Sequence, residues 1–126
     1  MMFRALFTVT GLFALILGAI LLAAPQVYLS LYVPQYDPDT MPFAAQRLSP
    51  AIMGLGALLL LASPLPPGPF ASRFAALTAL VWFGVAATGV FHYLAGTATF
   101  AILVAAVSEI VLGLLFGIAA RNHRTP

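Results

Sequence analysis

Apolar residues run through this chain in four long blocks separated by short polar or proline-rich joins. The last block, residues 98–120 (ATFAILVAAVSEIVLGLLFGIAA), holds one charged residue, Glu109, near its middle. At about 1.5 Å per residue, a helix of that length crosses a hydrocarbon core of about 30 Å. Residues 4–24, 42–62 and 73–94 predict three further spans. The expected architecture is an all-α, polytopic membrane protein: a four-transmembrane-helix bundle forming a single membrane domain over residues 1–126. The first block is longer than the apolar core of a usual signal peptide, and Ala23-Ala24 is followed at once by Pro25. An uncleaved span is therefore expected rather than a leader.

The joins carry their own signals. Residues 25–41 (PQVYLSLYVPQYDPDTM) predict the one sizeable outer loop. Its Tyr28, Tyr32 and Tyr36 suit headgroup depth. Val27, Tyr28, Leu31 and Tyr32 fall on one face of a short interfacial helix. The loop reads as a surface lid, with a ligand-contacting lid as the alternative. Pro34 and the YDPDT segment turn the chain, and Asp39 or Thr40 can cap the next helix. In the second span Pro50 removes an amide donor, which predicts a kink. Residues 63–72 (SPLPPGPFAS) hold four of the ten prolines and predict a stiff connector. Ala95-Gly96-Thr97 predicts a tight turn between the last two spans.

Charge then sets an orientation. The five basic residues are all arginine, and with four spans Arg4, Arg73, Arg121 and Arg124 lie on one side. Asp37, Asp39 and Arg47 belong to the other. The positive-inside rule places both termini and the 63–72 connector in the cytoplasm.

Composition agrees with a membrane residence: 126 residues, 63% hydrophobic and 6% charged, against about 25% charged in soluble domains. That length leaves no room for a separate soluble catalytic domain, and no basic run points to nucleic acid. The absence of cysteine excludes dithiol chemistry, thiolate metal sites and Fe–S clusters within the chain.

Arg47, His92 and Glu109 are the ionisable side chains well inside the predicted spans. A lipid-facing carboxylate at mid-bilayer is costly, so Glu109 is expected to face other helices. Residues four apart share a helix face. Through Glu109 that series is Ala101, Ala105, Gly113 and Gly117; through His92 it is Gly84, Thr88 and Gly96; through Arg47 the neighbours are Pro50, Ala51 and Gly54. Span one offers Gly11, Ala14 and Gly18. Small stripes let membrane helices approach closely, so Gly54, Gly84, Thr88, Ala105 and Gly113 are expected packing residues. The bland alternative is that Gly and Ala are simply abundant here.

Two readings of the polar group compete. In one, Arg47 and Glu109 form a structural pair that fixes helix register. In the other, a pocket opens between the helices, Arg47 binds an anionic or carbonyl group, and Glu109 and His92 handle protons. His92, near a helix end, also reads as a hydrogen-bonded interfacial residue. A bis-His haem fails because His123 lies on the opposite side, a zinc site lacks ligands, and Ser108 has no neighbouring base. No metal, cofactor or catalytic residue is assigned.

Two motifs carry a family resemblance: Arg47-Leu-Ser-Pro-Ala-Ile-Met-Gly54-Leu-Gly56 at the start of span two, and Glu109-Ile-Val-Leu-Gly113-Leu-Leu in the last span. In these the chain resembles small four-helix membrane proteins of the DoxX-like kind, especially the uncharacterised family called domain of unknown function 4345. Pro50 departs from that pattern where a small residue is expected. The resemblance implies a compact four-helix bundle of a bacterial inner membrane, with DoxX-like relatives associated with respiratory or thiol-linked redox complexes. The expected role is a small accessory or scaffold protein that associates with itself or a larger membrane complex. The alternatives are a carrier of a small hydrophobic or anionic solute and a DoxX-like redox-associated subunit. An enzyme is the least supported, since no complete catalytic set is visible.

Overall fold

The computed structural model describes residues 2–124, and no strand occurs among them. The helices are α1 (Met2–Ala23), α2 (Pro25–Tyr32), α3 (Met41–Ala62), α4 (Pro69–Leu94) and α5 (Ala101–Asn122). Of these, α1, α3, α4 and α5 are each long and apolar enough to cross a membrane. The chain falls into two compact units, one comprising Phe7–Pro64 and the other Met1–Leu6 with Leu65–Pro126.

In the Phe7–Pro64 unit, α1 and α3 run antiparallel: Gly11 meets Gly56, and Gly18 meets Ser49 and Met53. The buried positions of α3 are Ala45, Ser49, Gly56, Leu59 and Ala62. With half-buried Ile52 they repeat at alternating steps of mostly three and four, the spacing of one packed helix face. On α1, Ala14 and Leu21 are buried beside Gly11 and Gly18. Two glycines make the approach possible. A Cβ on Gly56 would lie 2.7 Å from the Gly11 carbonyl oxygen, and one on Gly11 would lie 2.9 Å from the Gly56 carbonyl oxygen. Backbone therefore rests on backbone. The fully buried Ser49 hydroxyl donates to the Gly18 carbonyl at 2.6 Å, and the Gln46 amide donates to the Leu22 carbonyl at 3.2 Å. Helix α3 continues through Pro50, which faces outward.

In the other unit, α4 packs antiparallel on α5. The Ser72 hydroxyl donates to the Ala120 carbonyl at 2.7 Å, Phe83 lies against Gly113, and Gly89 lies against Ile102. The buried face of α4 is almost entirely small: Ala71, Ser72, Ala75, Thr78, Ala79, Ala86 and Gly89. Helix α4 starts at Pro69, four residues before the expected boundary. Proline at the first helical position loses no intrahelical bond, so the connector's last proline opens the helix. The connector thus shrinks to residues 63–68.

The turn after α4 takes the expected place and a definite form. Gly96 has φ 74°, the left-handed conformation that favours glycine. The Thr97 amide donates to the His92 carbonyl at 2.9 Å and the Gly96 amide to the Tyr93 carbonyl at 3.0 Å. These are the two crossed bonds of a Schellman cap. Helix α5 begins at Ala101, three residues later than expected, after this cap and a short turn.

Candidate functional site

The three ionisable candidates occupy different settings. Arg47, in the second turn of α3, is exposed. Two residues from Ser49 is about 200° round a helix, so the face that buries Ser49 turns Arg47 outward. Pro50, Ala51 and Gly54 are exposed with it, and a Cβ on Gly54 would meet nothing within 4 Å. The expected packing stripe of α3 is therefore replaced by Ala45, Ser49, Gly56 and Leu59.

His92 is exposed and belongs to the turn. Its Nδ1 lies 2.8 Å from the Thr97 hydroxyl, which itself donates to the His92 carbonyl at 3.1 Å. A hydroxyl has one proton, so the two bonds together require Nδ1–H to be the donor to Thr97. The imidazole holds the α4 cap. The rest of its stripe, Gly84 and Thr88, is also exposed. Nothing lies within 4 Å of a Cβ on Gly84, and the Thr88 hydroxyl bonds back to the Val85 carbonyl at 2.7 Å.

Glu109 is half-buried on α5. It falls in the series Ala106, Glu109, Gly113, Phe116 and Ala120, whose other members are all buried. Its side chain therefore projects from the face that packs in this unit, as Phe83 against Gly113 shows. Ala105 is half-buried and Gly117 open. Ser108 is exposed and bonds the Val104 carbonyl at 3.2 Å. Among the described residues neither Arg47 nor Glu109 has an ion-pair partner. On α4, the Trp82 indole nitrogen is buried without a hydrogen-bond acceptor. The opposed contacts Ser72–Ala120 and Gly89–Ile102 put Trp82 near the level of Glu109.

A groove of about 370 Å³ lies in the Phe7–Pro64 unit between α1, α2 and α3. Leu17, Leu21, Leu29, Leu48 and Ile52 make it apolar, with Tyr28 as its aromatic member. Helix α2 covers it as a lid. The face expected for that helix splits: Tyr28 lines the groove and stacks at a tilt on Tyr32, with ring centres 4.6 Å apart, while Val27 and Leu31 are exposed. Pro25 is buried at the first position of α2.

The loop that returns from the lid to α3 is fastened by Asp37. Its carboxylate accepts from the Thr40 hydroxyl at 2.6 Å and from the Asp39 amide at 2.9 Å. The Thr40 hydroxyl, then the Asp39 amide, hold the Asp37 carboxyl below the usual aspartate value. Thr40 occupies the N-cap position of α3, but its side chain is spent on Asp37 rather than on the helix amides.

Sequence reasoning missed Ser49, Gly56, Ser72 and Gly89, the residues that join the helices. The alternating three- and four-residue spacing of Ala45, Ser49, Ile52, Gly56 and Leu59 was the available signal.

Four long apolar helices, with joins too short for another domain, define a small all-helical multi-pass membrane protein. No family model matches the chain, and neither the curated proteins nor the solved structures searched hold a significant match.

Proposed function

We propose that this protein is a small accessory or scaffold component of a membrane assembly, acting through helix association rather than chemistry. The observation that carries this reading is the open small-residue face of α4. Gly84 and Thr88 are exposed, and no atom lies within 4 Å of a Cβ on Gly84. A glycine and a small residue four apart let a second helix approach closely in lipid. A second copy of this chain is the occupant proposed. Both ends and the 63–68 connector are assigned to the cytoplasmic side on the four arginines found there, and a bacterial inner membrane is proposed on the family resemblance alone. The DoxX-like resemblance belongs to this proposal and rests on its two motifs. The Arg47–Glu109 pair does not, because Arg47 is exposed and neither side chain has an ion-pair partner among the described residues.

The test is subunit stoichiometry in lipid nanodiscs, read by native mass spectrometry across a dilution series. Dimers that Gly84→Leu converts to monomers support the reading. A wild-type monomer at every concentration, with nothing else co-purifying, refutes it. A second reading, a carrier of small hydrophobic solutes, is favoured by the apolar groove under α2. It predicts that Ile52→Trp, which fills the groove, abolishes solute flux in proteoliposomes while leaving the stoichiometry unchanged.

A further inference from the structure

The arginine-bearing end of the Met1–Leu6/Leu65–Pro126 unit is pinned together by three contacts. The Phe3 ring stacks on His123 with centres 4.2 Å apart. The Gly68 amide donates to the His123 carbonyl at 2.9 Å, and the Ser72 hydroxyl donates to the Ala120 carbonyl at 2.7 Å. Arg4, Arg73, Arg121 and Arg124 all lie at this end and all are exposed. None has an ion-pair partner among the described residues. The nearest carboxylate along α5, Glu109, is about 18 Å away by helix rise.

Two of the four arginines converge. A pocket of about 330 Å³ is lined by Pro69, Ser72, Arg73, Ala76, Ala120 and Arg124. It opens beside the first turn of α4, where Gly68 at the cap position offers no side chain to the free amides. The positive end of the helix therefore adds to the two guanidinium groups. Pro69 and Ala76 supply an apolar wall. The pocket has the charge of an anion site, the wall of a lipid site, and a position at a membrane surface.

We propose that this pocket binds the phosphodiester of an anionic phospholipid, with Arg73 and Arg124 on the phosphate oxygens. Guanidinium groups match phosphate geometry, and a headgroup without an ammonium brings no charge to oppose them. The proposal rests on the membrane reading but not on helix association.

The experiment titrates detergent-purified protein with phosphatidylglycerol or phosphatidylcholine and counts bound lipid by native mass spectrometry. Wild type should retain phosphatidylglycerol preferentially. Arg73→Gln with Arg124→Gln should weaken it by about tenfold or more. Arg4→Gln with Arg121→Gln removes the same charge from the same end but spares the pocket, and should change binding less than about threefold. Ala76→Trp fills the pocket without altering charge and should also abolish the preference. Equal losses in the two arginine pairs, or no preference in wild type, overturn the proposal. Complete displacement by millimolar inorganic phosphate overturns the lipid assignment. Loss of phosphatidylcholine as well as phosphatidylglycerol from wild type would count against the membrane reading itself, a result distinct from loss of the preference alone.

Discussion

Gly54 and Gly56 sit two residues apart in α3 and should respond oppositely to the same substitution. A methyl group on Gly56 meets the Gly11 carbonyl oxygen at 2.7 Å and the Leu15 amide nitrogen at 2.9 Å. Ordinary contact begins near 3.4 Å. Both obstacles are backbone, so no side chain can rotate away and the helices must separate. Overpacking of this kind costs about 1–3 kcal/mol. A methyl group on Gly54 meets nothing within 4 Å. Each change also gains helix propensity, about 0.8–1 kcal/mol for alanine over glycine. That gain is common to the two variants and cancels between them. Gly54→Ala should therefore be neutral to stabilising by up to about 1 kcal/mol, and Gly56→Ala should be less stable than Gly54→Ala by about 1–3 kcal/mol. Equilibrium unfolding in mixed micelles, followed by circular dichroism, measures the difference. Equal stability of the two variants would refute the backbone-on-backbone contact between α1 and α3.

Three further outcomes follow from individual side chains. Ser49→Ala removes the buried bond to Gly18 and should cost about 0.6 kcal/mol, with a ceiling near 1.7 kcal/mol, in the same unfolding assay. Thr40→Val should raise the Asp37 pKa toward the usual aspartate range, read by carboxyl-carbon NMR titration, because the hydroxyl that most lowers it is gone. Since the folded carboxyl titrates lower than the unfolded one, its stabilisation of the loop is fully present above the usual aspartate range and fades as pH falls through the lowered value. Glu109→Gln keeps shape and removes a charge that has no ionic partner among the described residues, so the yield of folded protein should hold. A collapse in yield would mean the carboxylate is paired in the assembled protein.

The four long helices were legible because hydrocarbon excludes charge, and the polar or proline-rich joins mark where each apolar block stops. Which face each helix buries was harder to read. Glu109 lies at mid-span, where a carboxylate has little freedom to reach water, and its series runs along the packed face of α5. Arg47 and His92 sit near helix ends, where long or polar side chains reach the interface at small cost. They constrain rotation weakly, and the stripes drawn through them, Gly54 on one helix and Gly84 with Thr88 on another, are exposed. Glycine and alanine are common on both faces of these helices, so their spacing alone could not choose. The groove under α2 was not legible, since it depends on how three segments meet rather than on any one pattern. The lid was anticipated; the apolar space below it was not.

The knot of bonds around Thr97 has a consequence for the corner between the last two long helices. One hydroxyl meets both the ring and the backbone carbonyl of His92, so a single small side chain ties the end of α4 to the loop that leaves it. Losing Thr97 would undo both ties at once, whereas losing the imidazole would leave the backbone half of the clasp in place.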